Sequence, residues 1–345
     1  MAGSRGWTDD ILGEGFQQRT LTLEPDDEGD VVATLVRYRM PPLEQLGEFL
    51  LPDVADGIDV LYVHGWSDYF FQRHLARFWA RLGARFYALD LRKYGRSLRP
   101  HQTPGYVDDL RTYDEDIEAA LTVMGHGAAD HVAGRRTRRR LVLLGHSTGG
   151  LTLSLWTARN QDRVAGLVLN SPWLEFQARQ LGRLAIAPLI QAGSRIDPRA
   201  QLPVVDLGFY TRSVSSTMDG AWDYDLAWRP LHGFPLHPGW LNAILTGHRL
   251  VDAGLHLRVP ALTLLSARSV LLPRWNDAMM RSDTALDVDA VAERALDLGE
   301  TVTIVRLDGA LHDVFLSEEP VRERAFDQIV AWGRGYLAAP VTGQR

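Results

Sequence analysis

The sequence predicts an α/β protein: a mostly parallel central sheet flanked by helices, with an inserted helical cap. Three observations carry this expectation. Short continuous apolar runs alternate with longer helical patterns. The chain begins with a hairpin rather than a βα unit. One long interval, between Leu169 and Val259, shows no clear strand. Repeated β-α-β units imply parallel strands covered on both faces.

The elements follow in order. Residues 16–23 and 31–39 alternate apolar and polar side chains around the acidic turn Pro25-Asp26-Asp27-Glu28-Gly29-Asp30, the pattern of a hairpin. Buried-type strands are expected at Ile58–Val63, Arg85–Leu89, Leu141–Leu144, Val164–Leu169, Ala261–Leu265 and Thr301–Arg306. Helical periodicity appears near 69–82, 109–124, 149–160, 288–298 and 320–337. The strandless interval is rich in proline, glycine and aromatics, including Trp173, Phe176, Phe209, Tyr210, Trp222, Tyr224, Trp228, Phe234 and Trp240. A structureless loop of that length is improbable in a compact domain, so an insertion is the better account. The expected division is a core of 1–171 and 259–345 interrupted by a cap of 172–258.

Composition narrows the chemistry. The chain has no cysteine, and Lys93 is its sole lysine. Thiolate nucleophiles, iron–sulfur clusters and cysteine zinc sites are excluded, and Schiff-base chemistry would rest on Lys93 alone. Hydroxyl, imidazole and carboxylate chemistry remain. A net charge of −6 argues against a nucleic-acid partner. The run Arg135, Arg136, Arg138, Arg139 and Arg140 reads as a solvated face. Met1 to Asp10 lacks the apolar region of a secretory signal, and no apolar stretch approaches the ~18 residues of a spanning helix. The expectation is a cytoplasmic protein without stable membrane insertion; its oligomeric state is not legible. No His-Glu-x-x-His pair appears, so neither metal nor cofactor is expected.

The strongest motif is Leu141-Val-Leu-Leu-Gly-His-Ser147-Thr-Gly-Gly-Leu, a Gly-x-Ser-x-Gly pattern between a buried strand and a helix. A turn of this kind exposes the serine oxygen in a strained conformation and leaves room only for small neighbours. A serine hydroxyl needs a base, and the base needs an orienting acid. In the elbow plan these follow in the order serine, acid, histidine. His312, in the loop after strand 301–306, is the expected base. The acid belongs after the strand ending at Leu265; Asp283 ranks first, Asp277 second and Glu175 third, whereas Asp287 and Asp289 suit a helix start. Oxyanion donors are expected from the N–H of Thr148 and the N–H of Trp66, which follows His64-Gly65 at a strand end. His64 reads as structural.

These residues resemble the α/β-hydrolase superfamily, specifically its monoacylglycerol-lipase and serine-aminopeptidase-like branch. The likeness rests on His64-Gly65, Ala88-Leu-Asp-Leu-Arg-Lys-Tyr-Gly-Arg-Ser97, Gly145-His-Ser-Thr-Gly149 and Gly309-Ala-Leu-His312-Asp, in the family's order. It implies an α/β-hydrolase fold, a triad of Ser147, Asp283 and His312, and Trp66 and Thr148 as oxyanion donors. Two departures stand out: a long loop before Asp283 and a long cap. The apolar stretch Leu181–Ile190 and the cap aromatics suggest an apolar roof, which suits a small carboxylic ester with an apolar acyl or aryl group. Two alternatives differ in kind. A serine aminopeptidase would need cap carboxylates to hold an ammonium, yet residues 176–256 contain no glutamate. A ligand-binding hydrolase scaffold would not need the catalytic set.

Overall fold

Residues 6–41, 54–129, 139–176, 188, 190–203 and 207–337 are described by the computed structural model. Their strands form one nine-stranded sheet in the order β1-β2-β3-β5-β4-β6-β7-β8-β9. The hairpin is β2 (Phe16–Thr22) with β3 (Val32–Tyr38), and a two-residue β1 (Thr8–Asp9) extends its edge. The remaining strands are β4 (Ile58–Val63), β5 (Arg85–Asp90), β6 (Arg140–His146), β7 (Gly166–Asn170), β8 (Ala261–Ser266) and β9 (Val302–Leu307). β1, β2, β3 and β5 pair antiparallel in sequence, and everything from β5 to β9 is parallel.

Side chains alternate across a strand, so each parallel strand feeds two cores. In β4, Ile58, Val60 and Tyr62 join one apolar cluster while Leu61 and Val63 join the other. Covering both clusters requires helices on both faces. These are α1 (Arg73–Arg81), α2 (Tyr113–Met124), α3 (Thr148–Arg159), α4 (Phe209–Val214), α5 (Pro238–Asp252), α6 (Val288–Ala295) and α7 (Glu319–Tyr336). α3 is buried from Thr148 through Thr157, because α5 lies over its outer side; Gly247 of α5 abuts Leu151 and Leu155.

Two helix starts differ from expectation for local reasons. α1 begins at Arg73, not near 69. The Phe70 N–H is taken by Asp90 Oδ1 (2.9 Å) and the Phe71 N–H by Gln72 Oε1 (3.0 Å), so neither enters a helical ladder. α2 begins at Tyr113, preceded by a 3₁₀ turn at Leu110–Thr112 that Asp109 caps. β1 has no sequence signature, since two residues show no period.

Between β7 and β8 the chain leaves the sheet. The stretch contributes helical residues 190–196, α4, α5 and irregular segments, and most of the apolar run Leu181–Ile190 lies outside the described residues. Its aromatics divide between the two clusters: Trp173, Phe176, Phe234 and Trp240 pack with the first, Tyr210, Trp222, Tyr224 and Trp228 with the second. The insertion thus straddles the carboxyl ends of the parallel strands, where α/β sheets place their sites. In the arginine run, Arg139 pairs with Asp59 (2.6 Å) and Arg140 hydrogen-bonds the Leu337 carbonyl; Arg135, Arg136 and Arg138 lie outside the described residues.

Candidate active site

Ser147 sits at the junction of β6 and α3 with φ 51° and ψ −118°. A positive φ costs a non-glycine residue on the order of 1–3 kcal/mol, so surrounding contacts must hold it. They do so densely. The Ser147 N–H donates to Asn170 O (3.1 Å), and its own carbonyl accepts from Gly150, Leu151 and Trp173 N–H groups. The turn is closed to side chains: a Cβ on Gly149 would lie 2.3 Å from His64 O.

The loop after β4 crosses directly over this turn. A Cβ on Gly65 would fall 3.0 Å from Ser147 Cβ. Gly65 therefore brings Trp66 beside the serine, and the following Ser67 turns away at φ 51°. Among the described residues, the N–H groups of Trp66 and Thr148 have no backbone acceptor; the latter is an unpaired first-turn helix donor. His64 holds the loop from below. It accepts the Leu91 N–H at Nε2 (3.1 Å) and so donates Nδ1–H to Gly65 O (2.8 Å). Burial pushes its pKa down, which keeps it neutral. The Asp90–Ser97 segment serves this same loop: Asp90 takes the Phe70 N–H, and Arg96 donates to Phe70 O (3.0 Å) and Asp90 (2.8 Å). Lys93 is buried and ion-paired with Asp26 (2.6 Å) and Glu28 (2.5 Å).

His312 follows β9, and its Nδ1 lies 2.8 Å from Asp283 Oδ2. Asp283 is fully buried, with Oδ1 accepting the Ala285 and Leu286 N–H groups at 2.7 Å each. Its long loop is closed at the neck. Ser269 and Asp283 form a bridge, and the Val270 N–H donates to Asp283 O (2.8 Å), so residues 270–282 are an excursion that leaves the carboxylate in place. The other carboxylates lie elsewhere. Asp277 opens an exposed 3₁₀ turn, Glu175 pairs with Arg294 (2.7 Å), and Asp287 caps α6.

Asn170, which motif reading passed over, and Asp313, which it quoted without a role, join the elbow to the histidine loop. Asn170 accepts from Ser147 through its carbonyl, donates Nδ2 to Asp313 Oδ1 (2.6 Å), and accepts the Val314 N–H at Oδ1 (3.0 Å). Asp313 also accepts from Gln72 Nε2 (3.0 Å). A polar residue ending the buried strand β7 was the available signal. His146, beside Ser147, points its Nδ1 to Asn170 O (3.1 Å) and its ring packs 4.9 Å from that of His312. Burial holds its pKa down to about 4.

Apolar rings line the other side. The Trp66 and Trp240 ring centroids are 3.7 Å apart, and Phe234 and Tyr94 stand edge-on to Trp66 at 5.9 Å each. Trp173 extends the row, 6.1 Å from Trp240 and 6.3 Å from Phe176. The described aspartates of the insertion are engaged locally: Asp197 with the Arg199 N–H, Asp219 with Arg212, Asp223 with Ser216, Asp225 with the Ala227 N–H and Asp252 with Arg294. Asp206 lies outside the described residues.

Comparison with known proteins agrees with this architecture. Residues 58–274 match the family described as serine aminopeptidase, S33. A monoacylglycerol lipase of Mycolicibacterium smegmatis is 25% identical over 285 residues, covering 81% of this chain and 89% of its own. Among solved structures, a soluble variant of the Saccharomyces cerevisiae monoglyceride lipase in complex with a substrate analogue superposes with a TM-score of 0.62 at 14% identity, covering 92% and 94% of the two chains. A thermophilic esterase from Thermogutta terrifontis gives 0.55 at 17% identity, covering 93% and 99%.

Proposed function

The chain belongs to the serine aminopeptidase S33 family, within the monoacylglycerol-lipase-like branch of the α/β-hydrolases, and from that premise we propose that it hydrolyses carboxylic esters through an acyl-enzyme on Ser147. The observation that carries the reading is the 2.8 Å contact of His312 Nδ1 with a buried carboxylate, Asp283, beside a serine held at positive φ. With Nδ1 committed to Asp283, Nε2 is the ring nitrogen that takes the Ser147 proton as its oxygen attacks the ester carbonyl. Trp66 and Thr148 N–H groups stabilise the oxyanion, and His312 then protonates the leaving alcohol. Water repeats the cycle and frees the acid. No metal or cofactor enters this scheme.

An ester is favoured over an aminoacyl amide by the engagement of the insertion's aspartates, which leaves those described no evident role in holding a substrate ammonium. The Trp66–Trp240–Trp173 row favours an apolar acyl or aryl group. Residues 172–258 act as cap on the core of 1–171 and 259–345 in this reading. The test is fluorophosphonate labelling together with a panel of esters graded by acyl length, run beside aminoacyl amides. Labelling and ester turnover are expected in the wild type and absent in Ser147→Ala, a loss of at least about 10³-fold. Unchanged labelling in Ser147→Ala, or a preference for amides, would overturn the proposal.

A further inference from the structure

One short stretch of the insertion touches both loops on which that chemistry depends. At its start, Trp222 donates Nε1–H to Leu316 O (2.7 Å), in the loop that carries His312, and its ring packs 4.6 Å from that of His74. At its end, Arg229 lies 3.1 Å from Asp68, two residues beyond Trp66. Between them, the Asp225 N–H donates to Tyr69 OH (2.8 Å), Tyr224 packs on Phe71 (5.2 Å), and Trp228 stands edge-on to Tyr69 (5.1 Å).

Arg229 is 3% exposed and enclosed by ring faces: Tyr224 at 4.5 Å, Tyr210 at 5.0 Å and Phe71 at 5.8 Å. Among the described residues its two amino groups have no hydrogen-bond partner, so the rings and Asp68 are what hold it. Tyr210 in turn stands edge-on to the His312 ring at 5.0 Å. A buried ion pair contributes little net stability, and its better-attested use is to specify one arrangement.

We infer that Trp222–Arg229 is a fixed strap, with Trp222 and Arg229 as positioning residues that hold the Trp66 loop and the His312 loop at one spacing across Ser147. The inference rests on the ester-hydrolase reading for its kinetic consequence, but the contacts themselves do not. A strap predicts a failure of registration: kcat falls while KM stays, because ground-state binding is untouched and near-attack geometry is lost.

The test compares Trp222→Phe and Arg229→Lys by steady-state ester hydrolysis and by hydrogen-exchange mass spectrometry. Trp222→Phe keeps an aromatic ring but loses the indole N–H and part of the ring area over His74; it is expected to speed exchange in residues 312–317 and not in 64–71. Arg229→Lys cannot present a planar face to three rings and is expected to loosen 64–71. Each is expected to lower kcat by roughly 10-fold with KM within about twofold. The double variant Asp68→Asn/Arg229→Met removes both buried charges together, which protects folding, and is expected to match Arg229→Lys in both readouts. Unaltered exchange in both loops, or a KM rise at constant kcat, overturns the strap. A wild type that neither labels at Ser147 nor turns over esters defeats the ester reading instead, and the exchange pattern still decides the strap.

Discussion

Two segments of the insertion hold the molecule in different ways. Residues 234–252 attach by apolar packing: Trp240 and Ile244 of α5 are almost wholly buried, and the helix lies over α3 with Phe234 and Trp240 against Trp66. Residues 210–229 also pack on the second apolar cluster but add directional contacts, namely an indole N–H on a carbonyl, a backbone N–H on a phenol and a guanidinium boxed by rings. Apolar packing scales with area and tolerates shape-conserving change, whereas hydrogen bonds and ion pairs are lost when geometry shifts. The first segment therefore governs stability, and the second governs position.

The largest expected effect lies in the first segment. Ile244→Ala should cost about 3 kcal/mol by urea unfolding, the usual range for a buried aliphatic truncation, with kcat at low temperature within about twofold of wild type. A tenfold drop in kcat would erase the contrast. A smaller effect is expected at His74, which is part-buried under Trp222 and bonded to Phe315 O (2.7 Å). Burial holds its pKa down to about 4. The folded value lies below the unfolded one, near 6.5, so its contribution is full above that pH and is lost as pH falls toward about 4. The stability gap between wild type and His74→Gln should therefore narrow by about 2 kcal/mol from pH 7.5 to pH 5. A pH-independent gap would mean that the strap does not keep this imidazole neutral. The smallest effect belongs to Tyr69→Phe, which strands the Asp225 N–H and should cost about 1 kcal/mol. Measured by steady-state ester hydrolysis, this modest loss is expected to lower kcat more than Ile244→Ala does.

Much of the sheet was legible because its signals are local. All eight expected strands recur within a few residues, as at Ile58–Val63 and Ala261–Ser266, since continuous apolar runs must be buried on both faces, and helical periodicity likewise places Glu319–Tyr336. The start of α1 was not, because the residues that take the Phe70 and Phe71 N–H groups include Asp90, twenty positions away from Phe70. The acid illustrates the same limit. Chain order ranks Asp283 ahead of Asp277 and Glu175 without excluding them, and the bridge at Ser269 closes the loop so that Asp283 meets His312. Asn170 bears no motif, and Asp313 closes the histidine motif without any assigned role; what they do comes from β7 ending beside β6.

Composition alone, with no cysteine and one lysine, narrowed the available chemistry to hydroxyl, imidazole and carboxylate. Periodicity determined an α/β sheet, and the spacing around Ser147 determined a strand–turn–helix, because glycine-flanked turns are set by contacts between near neighbours. Tertiary structure decided which carboxylate faces His312 and which segment of the insertion packs and which one positions. Those outcomes depend on pairings between residues far apart in the chain, such as His312 with Asp283, Arg229 with Asp68 and Trp222 with Leu316. Side-chain type states what a residue can bond; only the fold brings the partner within about 3 Å.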